Sequence, residues 1–144
     1  MSAAELYDRD FYEWTLRNAE LLRSGKASEA DLDHIAEEIE DMGKRERREL
    51  VSRLGVLIGH LLKWQAQPDH RSRSWEATIR LQREEMSDLL AEMPSLRRYL
   101  EANLVKAYRH GVIAASTETL LPVEDFPSTS PFSLEVLLDP SFLP

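Results

Sequence analysis

The residues best suited to do chemistry stand in two groups. The first is Asp31, His34, Glu37, Glu38 and Asp41, whose three- and four-residue spacing sets carboxylates and an imidazole on one side of a helix. Carboxylate and imidazole are transition-metal ligands, which makes His34 with Glu37 and Glu38 the candidate metal set. A di-iron bundle needs a Glu-x-x-His motif on two helices, and the chain has none; only Asp31 precedes His34 at that spacing. The plainer reading is an acidic helix start that complements the helix dipole and the basic block beyond it. The second group is an elbow formed by His60, Lys63, Gln67, Arg71, Ser72, Ser74 and Trp75 around Pro68. Proline breaks one helix there and another starts within a few residues, so free N–H groups join Arg71 and Arg73 in a turn suited to an anion. His60, one to two turns before Gln67, would add a titratable group. Caps and corners are built from the same residue types, however, and a lone histidine in an apolar run is more often a hydrogen-bonded core residue than a ligand.

Arginine outnumbers lysine fourteen to four. Lys44, Arg45, Arg47, Arg48 and Arg53, with Arg71, Arg73, Arg80 and Arg83, could make bidentate contacts with phosphate or carboxylate. The competing reading is pairing with the protein's own carboxylates, and the net charge of −8 favours it over nucleic acid. Trp14, Trp64 and Trp75 read as core or interface aromatics before they read as a stacking platform. The chain carries no nucleophile elbow, phosphate loop, cysteine pair or zinc-protease motif. It therefore offers no positive reason to claim an enzyme, and no cofactor is expected.

These groups have to be positioned by helices. Apolar residues recur three and four apart at Leu32, Ile35, Ile39 and Met42, then at Leu50, Leu54, Leu57, Leu61 and Trp64, the spacing of one buried helix face. Gly43 is a natural stop, but Lys44, Arg45 and Glu46 make a poor restart. Glu40 with Lys44 and Asp41 with Arg45 would support the helix across the glycine. One continuous helix is expected from about 29 to 66, opened by Ser28 and Asp31. Before it, Asp10 with Glu13 starts a helix from about 10 to 23 that stops at Gly25. After it, Ser72 or Ser74 caps a helix that ends at Pro94, with Trp75, Ile79, Gln82, Met86, Leu89 and Met93 inward. A fourth runs from Ser95 to about Glu118, with Leu96, Leu100, Leu104, Ala107, Gly111 and Ala115 inward.

The fold class expected is all-α: a bundle of about four main helices, one of them long, and an extended Pro-rich C-terminal segment. Residues 1–144 form one domain, with a helical core over 1–120. The segment 121–144 lies on that core with a short helix near 132–138, because Phe126, Phe132, Leu134, Leu137, Leu138 and Phe142 are too apolar for a free tail. A helix of some 55 Å exceeds what three shorter neighbours can cover. A homodimer is therefore expected, with Leu50, Leu54, Gly55, Ile58 and Gly59 as its interface, the two glycines letting another helix approach closely. The absence of cysteine excludes disulfides and thiolate metal sites. The longest apolar run, Leu54 to Leu62, is far short of the ~20 residues that span a bilayer, so no membrane is expected as a partner. Met1 to Glu13 does not read as a secretory signal. A cytoplasmic protein is the expectation.

The runs Leu32-Asp33-His34-Ile35-Ala36-Glu37-Glu38-Ile39-Glu40-Asp41-Met42-Gly43, Glu46-Arg47-Arg48, His60-Leu61-Leu62-Lys63-Trp64 and Arg71-Ser72-Arg73-Ser74-Trp75 resemble the signature of a bacterial family designated only as domain of unknown function number twenty-nine. The resemblance extends from Phe11-Tyr12-Glu13-Trp14 to Leu137-Leu138-Asp139-Pro140. It implies an all-helical fold and supplies no activity, cofactor or catalytic residue. The leading functional expectation is thus a small dimeric interaction or adaptor module, whose partner is a second copy or another protein. The alternatives are a domain that binds an anionic partner, nucleic acid or a phosphorylated ligand, through its arginines, and a metal-dependent enzyme using His34 and nearby carboxylates.

Overall fold

Ser2 accepts the Glu5 N–H on its hydroxyl at 3.3 Å, and the Glu5 carboxylate accepts the Ser2 N–H at 3.0 Å. This capping box starts helix α1, Ala3–Arg9, in a computed structural model that describes residues 1–144. The helix was not expected, although Ser2 and Glu5 carry its signal. Asp10 then ends α1 and begins α2, Phe11–Arg23, its carboxylate accepting the Glu13 N–H at 3.1 Å. Gly25, at φ +78°, closes α2 with the Lys26 N–H on the Leu21 carbonyl and its own on that of Leu22. That is a Schellman stop, which needs a residue free of a Cβ in the left-handed region.

Helix α3 runs unbroken through Gly43 from Leu32 to Ala66. It begins three residues later than expected, because Ala27–Glu29 forms a 3₁₀ turn and Ser28 caps nothing. The expected four-residue ion pairs across the glycine do not form; Lys44 instead lies 4.0 Å from Asp41. Helix α4, Arg73–Glu92, is capped by Ser72, whose hydroxyl accepts the Trp75 N–H at 3.2 Å. The single helix expected from 95 to 118 is two, α5 (Leu96–Ala102) and α6 (Leu104–Thr119). At the joint the Asn103 N–H is shared between the Tyr99 and Leu100 carbonyls, and its side-chain amide donates back to Tyr99 at 2.8 Å. Such local bonds compete with helix continuation. A 3₁₀ turn at Val123–Asp125 and α7, Leu134–Leu138, complete the chain. Seven α-helices stand in place of the four main helices and one short C-terminal helix expected, with no strand. No helix is long and apolar enough to cross a membrane.

The chain divides into two compact units, Met1–Arg45 and Glu46–Pro144. The first buries little: Ala3, Leu6, Trp14 and Asn18. The second holds the hydrophobic core, where Leu50, Leu54, Leu57, Ile58 and Leu61 of α3 meet Met86 of α4, Leu100 of α5, Ala107 and Ala115 of α6, and Leu137 of α7, all with no exposed surface. Phe126 and Phe132 of the proline-containing segment are also buried in it.

Leu120, which ends α6, is the one residue other than glycine with a positive φ, at 63°, and its side chain is 89% exposed. The left-handed conformation crowds its Cβ while the side chain returns no packing energy. Leu120→Gly is expected to raise stability by about 1 kcal/mol in urea unfolding, and a loss of stability would show that Leu120 makes contacts that offset the strain.

Candidate functional site

In the first unit, the acidic start of α3 is tied to α1 and α2 by a network of side chains. Asn18, buried on α2, donates to the Trp14 carbonyl at 2.9 Å and accepts the Asp31 N–H at 2.8 Å. The Asp31 carboxylate accepts the Trp14 indole N–H at 3.0 Å and lies 2.6 Å from Nδ1 of His34. Tyr7 of α1 stacks on the His34 ring, centroids 3.8 Å apart, and donates its hydroxyl to Glu38 at 2.6 Å. That hydrogen bond, with partial burial and the neighbouring carboxylates, pushes the Tyr7 phenol up to about 12. Partial burial works to raise the Asp31 carboxyl, but the hydrogen bonds from Trp14 and His34 outweigh it and hold the group below the usual carboxylate range. His34 is raised by its bond to Asp31, against a smaller effect of burial.

Two of the three metal candidates are therefore engaged elsewhere, His34 with Asp31 and Glu38 with Tyr7, while Glu37 is exposed. No three histidine, aspartate or glutamate side chains gather to hold a metal. The imidazole and carboxylate form an oriented pair that fastens α3 to its neighbours. Its contribution to stability should be fully present between the unfolded-state values of Asp31 and His34. It should fade as pH rises through the raised His34 value and as pH falls through the lowered Asp31 value. An NMR titration should show the His34 ring holding its proton to higher pH than in the Asp31→Asn variant; identical titrations would remove the pair.

The elbow lies wholly in the second unit, where most of its groups have internal partners. Lys63, 5% exposed, pairs with Glu118 of α6, and its ammonium stands 4.9 Å from the centroid of the Trp75 ring. Arg71 donates to the Trp64 carbonyl at 2.9 Å and stacks its guanidinium on the Trp64 ring, capping the end of α3. Ser72 caps α4, while Ser74 is exposed and Gln67 half-buried. His60 is half-buried with Nδ1 3.0 Å from the Val56 carbonyl; burial lowers its pKa. Four other arginines engage neighbours within the second unit. Arg53 meets Glu49, Gln82 and Glu85, Arg80 meets Glu84, Arg97 meets Glu101, and Arg47 covers Tyr99.

The expected interface residues require a correction. Leu50, Leu54 and Ile58 have no exposed surface, and Gly55 and Gly59 are buried against α6, where a Cβ would meet His110, Ala107, Gly111 or Ala114. The close helix approach exists, but the chain's own α6 makes it. Conversely, the early stripe of α3, expected to be buried, is not: Leu32 is 52%, Ile39 62% and Met42 59% exposed, with only Ile35 half-buried. Tertiary cover on this helix face begins at Leu50.

Two features were missed by sequence reasoning. Arg83 is buried on α4 and donates to the backbone carbonyls of Leu137, Phe142 and Val136 at 2.8, 2.7 and 3.5 Å. Its spacing of four from Ile79 and three to Met86 placed it on the inner face. An apolar groove of about 630 Å³ lies between α6 and residues 123–130, lined by Tyr108, Val112 and Phe126 among others.

A family model described as "Domain of unknown function DUF29" matches residues 6–143. No curated protein matches the chain. No solved structure does so either.

Proposed function

The chain belongs to the DUF29 family of domains of unknown function, and from that premise we propose that it is a helical protein-interaction module whose binding surface is the first half of α3. One observation carries the reading. A single apolar periodicity runs along α3, yet it is fully covered from Leu50 to Leu61 and open to water at Leu32, Ile39 and Met42. Isolated exposed apolar residues are ordinary, but large ones aligned on one face of a helix are the signature of a surface made to be covered.

A photo-cross-linking amino acid placed at Ile39, in cells of the source organism, should yield adducts of discrete mass. The same probe at exposed Ser52, on the same helix outside the stripe, should yield none. Equal cross-linking at both positions, or none at Ile39, would overturn the proposal.

A further inference from the structure

We infer that the second unit carries a binding site for a free α-amino acid with an apolar side chain, in the cavity between α4 and the C-terminal segment. The cavity encloses about 630 Å³, with α4 on one side and residues 138–143 on the other, room enough for a small organic molecule. Arg83 lines it while only 5% exposed. A charge buried so deeply is ordinarily paired with an opposite one, yet no carboxylate lies within 4.0 Å of this guanidinium. Its nitrogens donate to the carbonyls of Leu137, Phe142 and Val136, the last at 3.5 Å. Nη1 and Nη2 each carry a second N–H, and the chain offers those no acceptor. Asp139 favours the charged form of Arg83 without pairing with it, its carboxylate accepting the Ser141 N–H at 2.9 Å and hydroxyl at 2.7 Å.

The remaining charges of the cavity select the ligand. Arg80 and Glu84 pair with each other at 3.6 Å. Glu76 and Asp88 line the same cavity, are exposed, and pair with no cation. A plain anion at Arg83 would meet the field of Glu76, Asp88 and Asp139, and a plain cation would meet that of Arg83. A molecule carrying both charges suits both. Asp88 stands five residues beyond Arg83, about 7.5 Å along the helix axis at 1.5 Å per residue. The two side chains, with the adjacent carboxylate and ammonium of one amino acid, can close that gap. Ser87, one turn beyond Arg83, adds a hydroxyl on the same stretch. In the other direction Ile79 lies one turn before Arg83 and lines the cavity with Leu138 and Leu143, an apolar wall for the ligand's side chain. The carboxylate thus falls on Arg83, the ammonium on Asp88 and the apolar group on Ile79.

Calorimetric titration of the full chain with L-leucine should give a dissociation constant of about 1 mM or tighter, and NMR shifts should move at Ile79, Ser87 and Leu138. Glycine, without a side chain, should bind more weakly. Two analogues separate the charges: 4-methylpentanoate lacks the ammonium and 3-methylbutylamine lacks the carboxylate. Each should bind at least about tenfold more weakly than leucine, the loss of one charge-assisted contact. Arg83 is a poor residue to substitute here, because it also holds the C-terminal segment. Asp88→Asn, at an exposed position, should leave thermal unfolding unchanged, weaken leucine about tenfold and not weaken 4-methylpentanoate. Ser87→Trp should fill the cavity and remove binding of leucine. The inference is overturned if leucine neither binds nor moves those shifts at about 10 mM, well above a millimolar dissociation constant. It is equally overturned if 4-methylpentanoate matches leucine, which would mean a simple carboxylate site, or if 3-methylbutylamine does, which would mean a simple cation site. Leucine affinity unchanged by Asp88→Asn, or binding that survives Ser87→Trp, would place the ligand elsewhere and overturn it too.

Discussion

Arg83→Met should lower the stability of the chain by about 3 kcal/mol, the loss expected when several buried acceptors are deprived of one charged donor. The guanidinium is almost entirely buried and spans the carbonyls of Val136, Leu137 and Phe142. Burial lowers its pKa, and Asp139 opposes that shift. Methionine preserves much of the apolar stem but leaves the three carbonyls without that donor. Arg83→Lys should recover only part of the loss, because one ammonium cannot reproduce a planar fork aimed at carbonyls in three directions. Urea unfolding gives the magnitude, and amide exchange gives the location: protection should fall first across α7. Unchanged exchange there would show that Arg83 does not hold the C-terminal segment.

The second large effect lies where α6 crosses α3. A Cβ on Gly111 would come 2.6 Å from Cγ2 and 2.9 Å from Cβ of Ile58, and 3.1 Å from the Gly55 carbonyl oxygen. The Ile58 side chain is fully buried and Gly55 contributes backbone, so the helices must separate. Gly111→Ala should cost about 2 kcal/mol or more even after its gain in helix propensity. Gly59→Ala, at 3.3 Å from the Gly111 carbonyl oxygen, should cost less. Gly55→Ala, whose nearest contact is 3.4 Å, should be nearly neutral. In a double-mutant cycle, Ile58→Ala should be less damaging when Gly111 is already alanine, since it removes the methyl that collides. Strict additivity would mean that the two residues do not meet.

The all-helical class was legible because apolar periodicity, caps and breakers act within a turn or two of chain. Asp10, Ser72 and Gly25 mark element ends through bonds to residues no more than five away. The continuity of α3 through Gly43 was legible for a similar reason: the residues after the glycine offered no new start. The break at Asn103 was missed because one side-chain amide competes with the helix there without a proline or glycine to announce it.

Local spacing could say that α3 has an apolar face, but not what covers each part of it. That depends on which element arrives from far along the chain. Leu50 through Leu61 received α6 and the rest of the core, so the expected dimer interface became interior, while Leu32, Ile39 and Met42 remained open. The elbow cations likewise had no sequence marker for their partners, because Glu118 reaches Lys63 from 55 residues away. Arg83 is the clearest case. Its position on the inner face was written in the spacing of α4, but a buried charge is tolerable only when acceptors surround it, and those carbonyls, 53 to 59 residues further on, are delivered by the tertiary structure alone.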